Sequence, residues 1–255
     1  MTVTSTHFSE PVCRNCGFEQ RTPFCPACGQ QKARRFDLGA VRSEAWQGLR
    51  LFEMETVRGA LRLARQPGTV AREYVLGARK KHVHPLKLLL VAIGVLLLVL
   101  AQARYLHTDD ARLGQARELM QGYARWSFSL GIVAILATSL LLFRRYGGFN
   151  ATEHLVLAVY VHFLAIAATV VNLLPTLAWS LPWHRSASAI YMGFVETAIV
   201  VVTFRQFFRL DWRRDGVRLL LAAALFAALK WLLLRAYALV LVRIVLSQLS
   251  PGVSA

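Results

Sequence analysis

The chain has 255 residues, of which 56% are hydrophobic and 17% charged, with a formal net charge of +16. A soluble domain averages about 45–50% apolar and about 25% charged residues, so the composition argues against an ordinary soluble globule and for a membrane protein. All four cysteines lie between residues 13 and 28, which argues against a disulfide framework spread through a secreted fold.

In chain order, residues 1–12 read as a disordered tail. The first thirty residues hold no apolar run, so no cleavable signal peptide is expected. Residues 13–31 form a cysteine module, with Cys13 and Cys16 in one C-x-x-C-G unit and Cys25 and Cys28 in the other. The two-residue gap lets both thiolates of a pair converge on one ion, and the following glycine lets the backbone turn behind the second ligand. Two such pairs supply four soft ligands in a closed tetrahedral site, the pattern of a structural zinc ribbon. The doubled pattern disfavours the alternatives, a redox dithiol or a pair of disulfides. Arg14, Arg21, Lys32, Arg34 and Arg35 can offset the thiolate charge. A module this small has little core, so the metal would supply its folding free energy. With no open coordination position, its expected role is structure or recognition of a protein partner.

Residues 32–84 read as a basic linker with amphipathic, interfacial helices. Leu38, Val41, Ala45, Leu49 and Phe52, then Val57, Leu61 and Ala64, recur at helical spacing. Arg42, Arg50, Arg58, Arg62 and Arg65 can reach lipid phosphates from this segment. Pro67-Gly68 breaks the pattern, Thr69 can cap a short helix, and Gly77 can end it. Arg79, Lys80 and Lys81 follow, and Pro85 opens the hydrophobic part.

Residues 85–245 read as a bundle of about five transmembrane helices, at 86–106, 126–143, 155–174, 187–208 and 217–242, followed by a tail at 246–255. A spanning helix needs ~20 apolar residues; the last segment is long and could be a tilted span, or a span plus an interfacial helix. The fold class is therefore an all-α polytopic membrane protein with a small zinc-binding module. Fifteen of the thirty Lys and Arg residues precede residue 88, against seven Asp and Glu. Together with Arg144, Arg145 and the Arg205–Arg218 group, they put the N-terminus in the cytoplasm and, with five spans, the C-terminus outside. The charge favours anionic lipid headgroups as partners; nucleic acid ranks below them, because no base-reading module is present.

Three ionisable residues lie deep within their spans: His162, Glu196 and Lys230. Counted at ~1.5 Å per residue, all three fall ~16–20 Å from the cytoplasmic face, near the middle of a ~30 Å core. An acid and a base at matching depth should pair, with His162 able to join them. Such a cluster reads either as a polar clasp or as a relay for protons or substrate. Glu153 and His154 start the third span, where an exposed acidic helix start is one reading. His82 and His84 belong to an interfacial basic cluster. No Ser-His-Asp set, phosphate loop or H-E-x-x-H motif is present, so nothing specifies an enzyme.

One stretch carries a specific resemblance. Pro67, Gly68, Arg72, Glu73, Tyr74, Gly77, Arg79, Lys80 and Pro85, behind the cysteine module, resemble the motif of a bacterial domain-of-unknown-function family, number thirty-six sixty-seven. The segment with Glu153, His154 and His162 is similar to a later motif of that family. The resemblance implies a bacterial inner-membrane protein and no particular reaction. Two function classes follow: a binding, scaffolding or sensing protein, which the lack of internal repeats in the spans favours, and a transporter or channel-like protein using His162, Glu196 and Lys230.

Overall fold

A computed structural model describes residues 6–37, 54–102, 129–178 and 182–249. Its helices are α1 (Thr6–Ser9), α2 (Met54–Arg65), α3 (Pro67–Val75), α4 (Pro85–Gln102), α5 (Leu130–Phe143), α6 (Ala151–Leu173), α7 (Pro175–Ala178), α8 (Pro182–Phe208) and α9 (Trp212–Leu249). Among the described residues there is no strand, only two isolated antiparallel bridges in the cysteine module, Val12 with Glu19 and Phe24 with Gln31. The expected amphipathic helix appears as α2 at its C-terminal end; residues 38–53 lie outside the described ones, as does the 104–125 loop.

Among the described residues, four stretches are long and apolar enough to cross a membrane: Pro85–Gln102, Ala151–Leu177, Ile190–Phe208 and Trp212–Ile244. Helix α5 is equally apolar but runs for 14 residues, ~21 Å, short of a ~30 Å core. The span expected at 126–143 begins outside the described residues. The last hydrophobic segment is one continuous helix of 38 residues. Residues 6–9 form a helical turn, and the Pro11 carbonyl accepts the Gln20 N–H at 2.9 Å. The contacts of the module thus begin before Cys13.

Helix α6 is the centre of the bundle. Two-thirds of its span (67%) is buried inside the protein, against 17–33% for the other three. Every residue from Val156 to Ile166 is buried, as suits a helix apolar on all sides. Helices α3, α4, α5 and α8 pack directly on it, and α9 packs on α5 and α8. The outer helices turn large apolar side chains outward, among them Leu98, Phe194, Leu220 and Trp231. Soluble monomers rarely expose such continuous apolar surface; lipid is the solvent it fits.

The start of α6 is set by its own sequence. Asn150 is an extended N-cap whose side chain accepts the Glu153 N–H at 2.9 Å, while the Glu153 carboxylate accepts the Asn150 N–H at 2.7 Å. This reciprocal capping box satisfies two otherwise orphaned donors. Glu153 is fully buried, so the exposed helix start does not occur. The other end of this face is closed by Arg209 at φ +55°, where the Leu210 N–H donates to the Arg205 carbonyl at 2.9 Å.

Helix α3 lies against α8 and α6. It starts at Pro67, with Gln66 in the N-cap position, rather than with Thr69 as the cap. Proline lacks the N–H that the first turn leaves unpaired, and its φ already suits a helix. Gly77, at φ +110°, ends the turn after α3 in a conformation that favours glycine. Gly68 touches α8 directly. A β-carbon there would overlap the Thr203 carbonyl oxygen and approach Gln206 Cβ to 2.5 Å, and the Gly68 N–H donates to Gln206 Oε1 at 2.9 Å. Gly68→Ala is therefore expected to cost about 1–3 kcal/mol through overpacking. Gly94→Ala, whose β-carbon meets nothing within 4 Å, should be neutral or stabilising. Melting of the detergent-solubilised variants measures both, and an unshifted Gly68→Ala would contradict the packing.

Candidate metal centre and polar cavity

The cysteine module is built twice on one plan. Pro11-Val12-Cys13-Arg14-Asn15-Cys16-Gly17 and Pro23-Phe24-Cys25-Pro26-Ala27-Cys28-Gly29 are offset by a constant spacing, and their hydrogen bonds repeat with them. The Cys13 N–H donates to the Phe18 carbonyl at 2.8 Å, and the Cys25 N–H to the Gln30 carbonyl at 2.8 Å. The Gly17 and Gly29 N–H groups return to the Cys13 and Cys25 carbonyls at 2.9 and 2.7 Å. Gly17 and Gly29 sit at φ +78° and +67°, the left-handed turn each knuckle needs. This short repeat was legible in the sequence, though the four-cysteine pattern alone does not state it.

The four sulfurs lie within 4.8 Å of one another. Cys13 to Cys28 and Cys16 to Cys25 are each 3.6 Å, far beyond a disulfide bond of about 2.05 Å. Four ligands at about 2.3 Å from one tetrahedral ion would stand ~3.7–3.8 Å apart, so the donor set and spacing fit a thiolate-bound metal. The thiols also need one. The Phe18 backbone contact lowers the Cys16 thiol, but its thiol neighbours and burial outweigh it and push it up to about 12. Burial raises Cys28, yet the Gln30 backbone and its neighbours bring it down to about 7. Without a cation, four thiolates this close cannot ionise together.

The module is fastened to the helices through the motif residues. Gln30 Nε2 donates to the Gly77 carbonyl at 2.8 Å, and the Lys80 N–H returns to Gln30 Oε1 at 3.1 Å. Lys80 Nζ reaches the Cys28 carbonyl, behind one of the four candidate thiolates. Phe36 is buried and stacks on Tyr74 with ring centres 5.6 Å apart, while the Arg79 guanidinium lies 3.9 Å over the Phe36 ring. Tyr74 in turn meets Tyr160 of α6 edge-on at 5.6 Å, and the Tyr160 hydroxyl donates to the Val83 carbonyl at 2.7 Å. Arg35 spans from the linker to Glu153 at 3.2 Å and to the Gly148 carbonyl. Asn150 Nδ2 donates to the Phe36 carbonyl at 3.0 Å. Gln30, Phe36 and Gln206 are thus structural partners of the motif that sequence reasoning left aside, and Arg35, expected to offset the thiolate charge, pairs with Glu153. Only the N-x-x-E cap carried a local signal.

The remaining motif residues take separate places. Arg72 is buried and donates to the Phe207 carbonyl of α8 at 2.7 Å, with the Phe149 ring 5.4 Å from its guanidinium. Burial, and Arg209 nearby, pull it below its ordinary value. Glu73 binds Lys81 at 2.7 Å and His82 at 2.8 Å. Burial works to raise its carboxyl, but these two partners outweigh burial and hold it below the usual range. His84, half-buried and near Arg79, is pushed down to about 4 by loss of water and by that cation. Pro85 opens α4. His154 is fully buried, with Nδ1 and the Ser139 hydroxyl 2.6 Å apart and the Phe149 and Phe208 rings around it.

Farther along the bundle lies a cavity of about 750 Å³. Lys230 of α9 pairs with Glu196 of α8 on its wall. His162 of α6 lines the same cavity, its ring so close to Gly131 of α5 that a β-carbon there would stand 2.7 Å from it. Asn172, Ser188 and Thr197 add polar groups to walls that are otherwise mostly apolar. Three residues from three separate helices therefore share one cavity, and the ion pair joins two of them.

Residues 57–97 match the family model described as "Protein of unknown function (DUF3667)". This is the family that the motif residues resemble. The matched stretch runs from α2 through α3 and its turn into α4, so it is the part that seats the cysteine module; Glu153, His154, His162, Glu196 and Lys230 lie outside it. No curated protein and no solved structure matches the chain.

Two outcomes are expected here. Metal analysis of protein purified without chelator should give one thiolate-bound ion per chain, lost in Cys16→Ser and Cys28→Ser; intact thiols without metal would refute the site. Glu196→Gln and Lys230→Met should each destabilise the bundle by about 2–4 kcal/mol, and the double variant should recover part of that loss. Additive losses in thermal melts would mean the pair has no energetic coupling.

Proposed function

We propose that the protein is a small-ligand binding or sensing protein of the bacterial inner membrane, with a structural zinc ion in its cysteine module. The cavity at the Glu196–Lys230 pair is the observation that carries this reading. Its volume, about 750 Å³, is within the ~300–1,000 Å³ range of small-molecule sites, and its mostly apolar walls with a few polar groups suit an amphipathic ligand. The closed four-thiolate set suits zinc in a structural role. Several contacts run from the module to its own helices, which favours a fixed cap over a freely presented recognition domain. Any protein partner of the module would meet its outer face, where Val12, Phe18 and Phe24 are exposed.

The orientation rests on charge. Arg144 and Arg145 follow α5, and Arg205 to Arg218 surround the α8–α9 turn, at the bundle end that carries the module. An excess of basic residues marks the cytoplasmic side. Labelling of single cysteines placed in the 104–125 loop from the outer side tests this topology, and their protection in intact cells would reverse it.

A transporter is the second reading, because a charged pair on a cavity wall is also what a permeation path needs. One set of measurements separates the two. Gly193 lines the cavity with open space at its β-carbon, so Gly193→Trp should fill it. Native mass spectrometry is expected to show a small molecule retained by the wild type and lost from Gly193→Trp, with no decay of an imposed proton gradient in proteoliposomes. Gradient decay that stops in Glu196→Gln would select the transporter instead.

A further inference from the structure

A second pocket, of about 380 Å³, lies where α2 meets the approach to the first span. It shares no residue with the cavity at Glu196. Arg58, Arg62, Lys80, Lys81 and Lys87 all line it, and among the described residues no carboxylate does. Like charges gathered round one space repel one another, and an anion between Arg58 and Arg62 would relieve that repulsion. Glu73, outside the lining, is engaged by Lys81 and His82, at 2.7 and 2.8 Å. Arg62 Nη1 donates to the Lys81 carbonyl at 3.2 Å, which ties α2 to the basic turn and holds the pocket's two sides together.

An independent observation points into the same space. Thr56 lines this pocket, is 6% exposed, and its hydroxyl oxygen has no hydrogen-bond partner in the structure. Buried hydroxyls are almost always bonded, and an orphan signals a missing group. The chemistry of the missing group follows from the lining. It carries negative charge, offers several acceptor oxygens, and can take a hydrogen bond from a hydroxyl as well as from guanidinium and ammonium groups.

We infer that the pocket bounded by Thr56, Arg58, Arg62 and Lys87 is a binding site for a phosphate group at the membrane surface. Pro85 opens the first span and Lys87 lies in its first turn, so the pocket stands at the boundary between headgroups and hydrocarbon. The phosphate of an anionic phospholipid reaches that depth, and so does the phosphate of a soluble ester entering from the aqueous side. The inference goes beyond the proposed function: it needs neither the zinc ion nor a ligand at Glu196.

The test uses the full-length protein with two phosphate sources. Thermal melts and native mass spectrometry are recorded in neutral detergent with added phosphatidylglycerol, and separately with inorganic phosphate. Phosphatidylglycerol is expected to stabilise the wild type and remain bound after dilution. Arg58→Gln/Arg62→Gln should weaken that binding about tenfold or more, the scale of losing hydrogen bonds to a charged group. Thr56→Val should weaken it by several-fold and yet melt like the wild type without ligand, because the hydroxyl it removes has no partner in the protein. Arg144→Gln/Arg145→Gln removes the same charge elsewhere on this face and should leave binding intact. Stabilisation by inorganic phosphate with the same variant pattern supports the site with a soluble ester as its source. Binding unchanged in the pocket variants, or lost equally in the Arg144/Arg145 control, overturns the inference. No binding of either source overturns it too. Loss of zinc or of the Gly193-sensitive ligand would leave these results untouched, so the two proposals fail separately.

Discussion

A carboxylate without solvent exposure sits at the start of the central helix, and the arrangement around it depends on how that charge is met. Glu153 accepts from the Asn150 N–H within the helix cap and from Arg35 across the chain. Removing a carboxylate from water costs several kcal/mol unless a cation and hydrogen bonds replace the water. The cap supplies part of this, and Arg35 the rest. Arg35 is only seven residues past Cys28, so the same contact that neutralises the helix start holds the cysteine module against the bundle. Asn150 adds a second tie through the Phe36 carbonyl.

The motif stretch does the complementary work. Gly68 and Arg72 fix α3 to α8, through the Gln206 side chain and the Phe207 carbonyl. Tyr74 then faces α6 on one side and Phe36 on the other. Gly77 brings a bare backbone carbonyl to Gln30, and a side chain there would collide with Ala33, whose Cβ stands 2.7 Å from the position of a β-carbon. These residues carry no reactive arrangement. They form a seat, which explains how a motif can be specific in sequence without marking a reaction.

The apolar runs, the cysteine spacing and the breaks at Pro67 and Gly77 could be read locally, because hydrophobicity, ligand geometry and backbone restriction act over a few residues. Equal depth was enough to suggest that Glu196 and Lys230 face one another, since rise per residue is fixed in a helix. What could not be read was pairing between distant segments. Nothing in the neighbourhood of Arg35 names Glu153, and nothing near Arg72 names Phe207. Glu153 looked like an exposed helix start because its cation lies far away in sequence. Thr69 looked like a cap because its hydroxyl suits one, but Pro67 fits the first helical turn and takes it. The orphaned Thr56 hydroxyl has no sequence signature, since it depends on what three-dimensional packing leaves unpaired.

Helix α9 has one further implication. Its 38 residues extend ~57 Å, nearly twice a ~30 Å hydrocarbon layer. Its first turn is fixed on the basic face, where Arg218 lies 5.0 Å over the Tyr146 ring and Arg205 lies 5.0 Å over the Trp212 ring. The length beyond that layer projects past the lipid or is taken up by leaning, and mismatch of the apolar part costs more with each ångström. Because Lys230 lies on this helix, a change in bilayer thickness would bear mechanically on the helix that holds one half of the ion pair.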